Sequence, residues 1–443
     1  MKIWQKDSAD TAEVDLFTVG GDRELDRRLA LFDVLGSLAH TQMLRSIELL
    51  SGAELRQVQE GLKGIAREIA QNSFTIDPAN EDIHSEIEAR LTERLGDVGK
   101  KIHSGRSRND QVLLDLRLYF RSEIHQMADL TKELFQTLQT LADEHKDTLM
   151  PGYTHLQVAM PSSFGLWFGA WAESLTDDLQ TLLSAYKVCN RNPLGSGAGY
   201  GSSFALDRQM TTDLLGFDAP SYNVVYAQMG RGKTERILAN AMANIALTLE
   251  KLAMDNALYL SQNFAFISYP DSLTTGSSIM PHKKNPDVWE IMRGRCNLIA
   301  STPMQVNMLT GNLPSGYHRD LQLLKEIIFP AITSLKECLT MAKYMLEHIQ
   351  VRADILKEEK YRYIFSVEAV NQLAQSGIPF RDAYRQVGLA IGEGTFQAPH
   401  AVNHTHLGSI GNLCLEPVAA EFAATLAAFN FDKIEAAQKA LLD

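Results

Sequence analysis

Residues 109 to 146 contain neither proline nor glycine. Few features constrain a fold more. Within this run Ile124, Met127, Leu130, Leu134, Leu138 and Leu141 recur at steps of three or four, which places them on one helical stripe. At 1.5 Å per residue such a helix is roughly 55 Å long, well beyond an ordinary globular helix. Two further runs, about 162–189 and about 234–266, have the same character. In the second, Ala239, Ala241, Ala243 and Ala246 allow close helix approach from several sides. A shorter helix is predicted from Asp287 past Ile299, and a fifth over about 321–346, with Pro330 expected to kink it. The expectation is an all-α protein whose central bundle has five helices per subunit. Two smaller, mostly helical domains flank it, giving units at 1–108, 109–357 and 358–443. The amino-terminal unit reads as less regular and the carboxy-terminal one as a separate set of shorter helices. Helix faces left over after intrachain packing favour self-association.

The chain has 443 residues, with 42 basic and 54 acidic side chains, a formal charge of −12. That balance argues against a general affinity for nucleic acid or anionic membranes and leaves room for a small-molecule substrate. An anionic substrate would need a locally cationic pocket. Cys189, Cys296, Cys338 and Cys414 are scattered and show no CxxC spacing, so neither a disulfide framework nor a zinc site is suggested. The amino terminus has no signal-like apolar core, and charge interrupts the later apolar stretches. A cytoplasmic protein is expected.

Chemistry concentrates in polar islands. Residues 276 to 287 read GSSIMPHKKNPD. Gly276 permits hinge conformations, while Pro281 and Pro286 fix φ, so a shaped loop carries Ser277, Ser278, His282, Lys283, Lys284 and Asn285. Such groups can move a proton and hold a developing oxyanion. PGYTHLQ, residues 151 to 157, stops the long helix and presents Thr154 and His155; an imidazole titrates near neutrality. HSGRSRNDQ, residues 103 to 111, precedes that helix. Ser107, Asn109 or Asp110 could cap it, and its positive end together with Arg108 would attract a carboxylate. Around His84 the sequence EDIHSEIE has too little local character to assign.

Two tempting patterns fail. GKT at 232–234 lacks the phosphate-loop glycine five residues before Gly232, where Ala227 stands. GSGAGYG at 195–201 satisfies GxGxxG in no register, because Tyr200 and Ser202 fall where the third glycine belongs. It reads better as an irregular loop of close backbone approach.

Taken together, these residues resemble the fumarase/aspartase superfamily, whose signature GSSxMPxKxNP is matched at every fixed position from Gly276 to Pro286. Doubled lysine followed by NPD is similar to the argininosuccinate lyase branch. GRSRNDQV at 105–112, PGYTHLQ, NPLGSGA at 192–198 and the spaced set Tyr317, Gln322 and Lys325 agree with it. The resemblance implies a homotetramer with active sites shared between subunits. It also implies reversible β-elimination of argininosuccinate to arginine and fumarate, without metal or organic cofactor. On the matching positions, it implies Ser277 as base, Lys283 and Asn285 as oxyanion donors, and His155 as the acid serving the leaving nitrogen, paired with Glu290. For substrate binding it implies His84, Ser107, Arg108, Asn109 and Thr154 at the succinyl carboxylates, and Tyr317, Gln322 and Lys325 at arginine-side groups.

The chain departs from that pattern in several places. KIWQK replaces an early WGGRF, Asp22 stands where a serine precedes Asp26 by four residues, QVAMP replaces QRAQP, position 282 is His rather than Gln, and 223–236 is divergent. Two alternatives stay open. A sister lyase on another fumarate-yielding or acylated substrate is disfavoured by the doubled lysine with Tyr317, Gln322 and Lys325. An inactive, crystallin-like structural homologue should have lost some of Ser277, Lys283 and His155, and all three are present.

Overall fold

The computed structural model describes residues 11–399 and 401–443, so the KIWQK departure lies outside the described residues. The amino-terminal region is more regular than its pattern suggests. Helices α1 (Ala30–Ser46), α2 (Gly52–Ala70) and α3 (Ile83–Leu95) follow one another. Helix α1 escapes a periodicity argument because it buries Asp33, Ser37, His40 and Thr41 beside Leu35, Leu38 and Ala39, which blurs its apolar stripe. By contrast α2 opens with a capping box, Ser51 and Glu54 each bonding the other's backbone N–H. These helices share a hydrophobic cluster, including Val34, Leu62 and Ile87, with Leu114 and Leu118 from the start of the next helix.

That next helix, α4 (Arg108–Glu144), is the long proline-free run. Ser107 is its N-cap: Oγ accepts from Asn109 N at 3.3 Å, and Asp110 accepts from Ser107 N at 2.8 Å. The other Asp110 oxygen accepts from Gly195 N at 3.0 Å and Gly197 N at 2.9 Å, tying the glycine-rich loop to the helix start. Gly195 and Gly197 hold φ of +82° and +60°, conformations that side chains resist.

Beyond α4 the chain forms a hairpin that helical periodicity could not reveal. Strands β1 (Leu149–Thr154) and β2 (Gln157–Ser163) pair antiparallel. Helix α5 (Phe164–Cys189) therefore starts slightly later than expected, behind Ser163 as N-cap. The bundle is completed by α6 (Lys233–Leu260), α7 (Asp287–Thr310) and α8 (Leu324–Leu346). Pro303 and Pro330 lie inside α7 and α8, each of which runs on as a single helical segment. Helices α4 to α8 share the main core, with Leu138, Phe168, Leu179, Met242, Ile299 and Leu335 among its buried members. By length and composition α6 could cross a membrane, contrary to the reading that charge breaks every apolar stretch. Its alanines raise the mean hydropathy, while its inner face, with Leu238, Ile245 and Leu252, is packed in the bundle.

The expected carboxy-terminal unit divides. Helices α9 (Ser366–Gln375) and α10 (Phe380–Gly392) form a small cluster of their own around Val370, Ala383 and Val387. Helices α11 (Leu415–Ala427) and α12 (Phe431–Leu442) return to the bundle. There Phe422 stacks on Phe135 with centroids 4.0 Å apart, and Phe431 meets Tyr186 edge-on at 5.4 Å.

Candidate active site

The connections fix which polar islands share an end of the bundle. At one end α4 starts, and Arg231 donates to the Leu321 carbonyl at 2.8 Å just before α8. Here lies a cavity of about 210 Å³ whose wall includes His84, Arg108, Asn109, Tyr317, Gln322 and Lys325. Six residues assigned to substrate binding, drawn from three separate stretches of sequence, thus meet in one place. Arg108 and Asn109 reach it as the first residues of a 37-residue helix, whose end carries partial positive charge.

The cavity is built from matched charges. Arg108 Nη1 lies 3.3 Å from Glu81 and 3.5 Å from Asp82, and Nη2 donates to Ser85 Oγ at 2.7 Å. Arg319 pairs with Glu81 at 2.7 Å. Lys325 Nζ sits between Asp22 Oδ1 at 2.6 Å and Asp26 Oδ1 at 2.5 Å. Gln322 donates to the Thr18 carbonyl at 3.0 Å. Ser107 is occupied in capping α4 and is absent from the cavity wall.

His84 shows its surroundings to be as important as its position. Its Nδ1 is hydrogen-bonded to Asp33 and lies 3.6 Å from Asp115, and all three side chains are buried. Burial alone would lower the imidazole pKa, but Asp33, then Asp115 and Asp82, push it up to about 10. The ring is therefore an imidazolium beneath the cavity. Asp33, His84 and Asp115 also form the one grouping among the described residues with metal-ligand spacing. The Nδ1 to Asp33 contact is that of a hydrogen bond, so a cation held there would have to displace the proton that His84 and Asp33 share. Sequence reasoning left Asp33 and Asp115 unassigned. Aspartates inside an apolar helix face were the signal that could have found them.

The remaining assigned residues lie at the opposite end. Ser277, Lys283 and Asn285 belong to a strap closed by pairing of β3 (Thr275–Gly276) with β4 (Lys284–Asn285). Within it Ser277 Oγ accepts backbone N–H groups from Ile279 at 3.3 Å and Met280 at 3.1 Å. Two dipoles thus already point at the oxygen that a serine must carry as an anion before it can take a proton and become a neutral hydroxyl. The doubled lysine divides its roles. Lys284 pairs with Asp271, while Lys283 is exposed and has no ion-pair partner among the described residues. Glu290, in the first turn of α7, is also exposed.

Thr154 and His155 sit at the tip of the β1–β2 hairpin, near the end of α6. Tyr153 packs edge-on to Phe264 at 5.4 Å, and its hydroxyl meets that of Tyr361 at 3.1 Å. His155 and Leu156 hold φ of +55° and +57° at the turn, a conformation that β-hairpins favour and non-glycine side chains resist. Leu156 is 73% exposed. Among the described residues no ion pair joins His155 to Glu290, and both are exposed. The cavity at the start of α4 and the hairpin after its end are separated by roughly 55 Å of helix. One chain cannot bring both to one substrate.

A family model described as Lyase matches residues 19–300. Argininosuccinate lyase of Parabacteroides distasonis is 57% identical over 441 residues, covering 100% of this chain and 99% of that protein. The chain belongs to the argininosuccinate lyase family. Its more distant relatives include argininosuccinate lyase of Thermotoga neapolitana, 38% identical and covering 88% of this chain and 98% of that protein. Among solved structures, an EDDS lyase in complex with formate matches this lyase with a TM-score of 0.75 at 21% identity, covering 96% of this chain and 94% of that one. The fumarate lyase:delta crystallin of Brucella melitensis bound to cobalt gives 0.71 at 18% identity, covering 92% and 91%. At such identities the likeness shows a shared helical-bundle fold, and this lyase has that architecture.

Proposed function

We propose that the chain catalyses reversible β-elimination of argininosuccinate to L-arginine and fumarate, in sites completed when several copies associate. The carrying observation is the full-length similarity to argininosuccinate lyases, on a chain that keeps the strap, the hairpin histidine and the cavity residues together. In this reading the cavity of one subunit holds substrate while the strap and hairpin come from others. Ser277 removes a proton from the carbon beside a succinyl carboxylate. The resulting dianionic aci-carboxylate needs donors already aimed at it, which Lys283 and Asn285 supply. Lys283, exposed and without an ion-pair partner among the described residues, is also available to lower the energy of the Ser277 oxyanion. His155 delivers a proton to the departing guanidinium nitrogen, and a Glu290 carboxylate brought beside it favours the imidazolium.

A homotetramer is the proposed assembly. Its support is an uncovered apolar surface on the bundle: Leu247, Ile291, Leu298, Met304 and Met308 are each between 48% and 76% exposed on α6 and α7. A cytoplasmic location is proposed on four free cysteines, three of them buried. The direct test incubates purified protein with argininosuccinate and follows fumarate by ultraviolet absorbance. Turnover of adenylosuccinate or aspartate instead, with no argininosuccinate signal, would reject the substrate assignment.

A further inference from the structure

We infer that Tyr153 and Tyr361 are positioning residues for His155, an inference that rests on the proposed reaction and deepens it. Residues 154 to 158, the hairpin tip that carries His155, are all exposed. Two rungs of the β1–β2 ladder, Tyr153 with Val158 and Thr154 with Gln157, lie beyond the irregularity between Pro151 and Tyr153. Backbone pairing therefore ties the arms of the tip to each other without fixing their tilt against the bundle. The turn also holds His155 and Leu156 in left-handed conformations, which persist only where the surroundings over-determine them. On β1, Tyr153 is the first residue beneath the tip that packs on the main core.

What Tyr153 grips is itself fixed. Its ring meets Phe264 edge-on at 5.4 Å and Phe266 at 6.3 Å, and aromatic contacts of this kind tolerate some sliding. The hydrogen bond between its hydroxyl and that of Tyr361, at 3.1 Å, is directional and selects one tilt. Tyr361 is 1% exposed and belongs to the main core. Its segment is bound to the chain that follows α6: residues 350–351 pair antiparallel with 267–268, and Arg352 N donates to the Phe266 carbonyl at 2.9 Å. Burial first pushes both phenols up in pKa, so both hydroxyls keep their protons at any working pH and one donates to the other. A buried hydroxyl needs a partner, and among the described residues Tyr153 is the one bonded to Tyr361.

The test measures kcat and KM for argininosuccinate on the assembled full chain, as wild type, Tyr153→Phe, Tyr361→Phe and the double variant. Phenylalanine keeps the rings and their packing. A general acid contributes roughly 10²- to 10⁴-fold and a small misplacement forfeits part of that, so each single variant should lose roughly 5- to 50-fold in kcat while KM moves less than about threefold. The double variant should be no slower than the slower single one, because breaking one bond already frees both hydroxyls. A kcat loss under about twofold, losses that multiply in the double variant, or a KM that rises in step with the fall in kcat would each overturn the inference. Should Tyr361→Phe fail to assemble, Tyr153→Phe, changed at a half-buried ring, decides by the same split between kcat and KM. Absence of wild-type turnover takes down both readings, whereas normal turnover with any of those results removes only the tyrosine pair.

Discussion

Replacing Asp33 by Asn tests whether the buried cluster beneath the cavity is held together by a charged His84. In the native protein that imidazole is 6% exposed, hydrogen-bonded to Asp33 and 3.6 Å from Asp115. Its pKa rises from 6.5 to about 10. At about 1.4 kcal/mol for each tenfold change, that gap bounds the linked stabilisation at roughly 5 kcal/mol. Removing one partner of a buried ion pair typically costs ~3–5 kcal/mol, which lies within this bound. The sign follows from the direction of the shift. A group whose folded pKa is raised stabilises fully below its unfolded value, and that contribution is lost as pH climbs through the folded one. The wild-type advantage over Asp33→Asn should therefore be full below pH 6.5 and shrink steadily toward pH 10. Thermal melting of both proteins at intervals across this range reads the difference directly. Two melting curves that stay parallel from pH 6 to pH 10 would refute a charged His84. A variant as stable as wild type at pH 6 would do the same.

Other outcomes follow from single contacts. Lys283→Met should lower kcat by roughly 10²- to 10³-fold, because this exposed ammonium has no ion-pair partner to lose among the described residues. A change under threefold in a folded, assembled variant would remove it from the chemistry. Asp110→Ala should destabilise by roughly 3 kcal/mol, since the N–H groups of Ser107, Gly195 and Gly197 all lose their acceptor. An unshifted melting temperature would show that water replaces that carboxylate without penalty.

The bundle was legible because 37 residues of unbroken helix leave few architectures open. Capping of α4 was legible to within a choice of three residues, which the geometry resolves in favour of Ser107. The β1–β2 hairpin was not, since Pro151 and Gly152 read equally well as a helix stop. The end of α6 fell at Leu260 rather than near Phe266 because Phe264 and Phe266 turn back onto Tyr259, a tertiary preference with no local signature. Signature residues of the site could be named from sequence, but their partition between opposite ends of the bundle could not. Spacing along a chain says nothing about which end a loop occupies until helix lengths and directions are known.

That partition is the central claim, and mixing subunits tests it most directly. His155→Gln removes a hairpin group and Asn109→Ala a cavity group, so each variant alone should be inactive. If different subunits supply the two groups, random reassembly of an equal mixture leaves about one quarter of sites with both native residues. The account predicts recovery of about 25% of wild-type activity after joint denaturation and refolding. Activity no greater than that of the separate variants, in assemblies shown to be mixed, would contradict it.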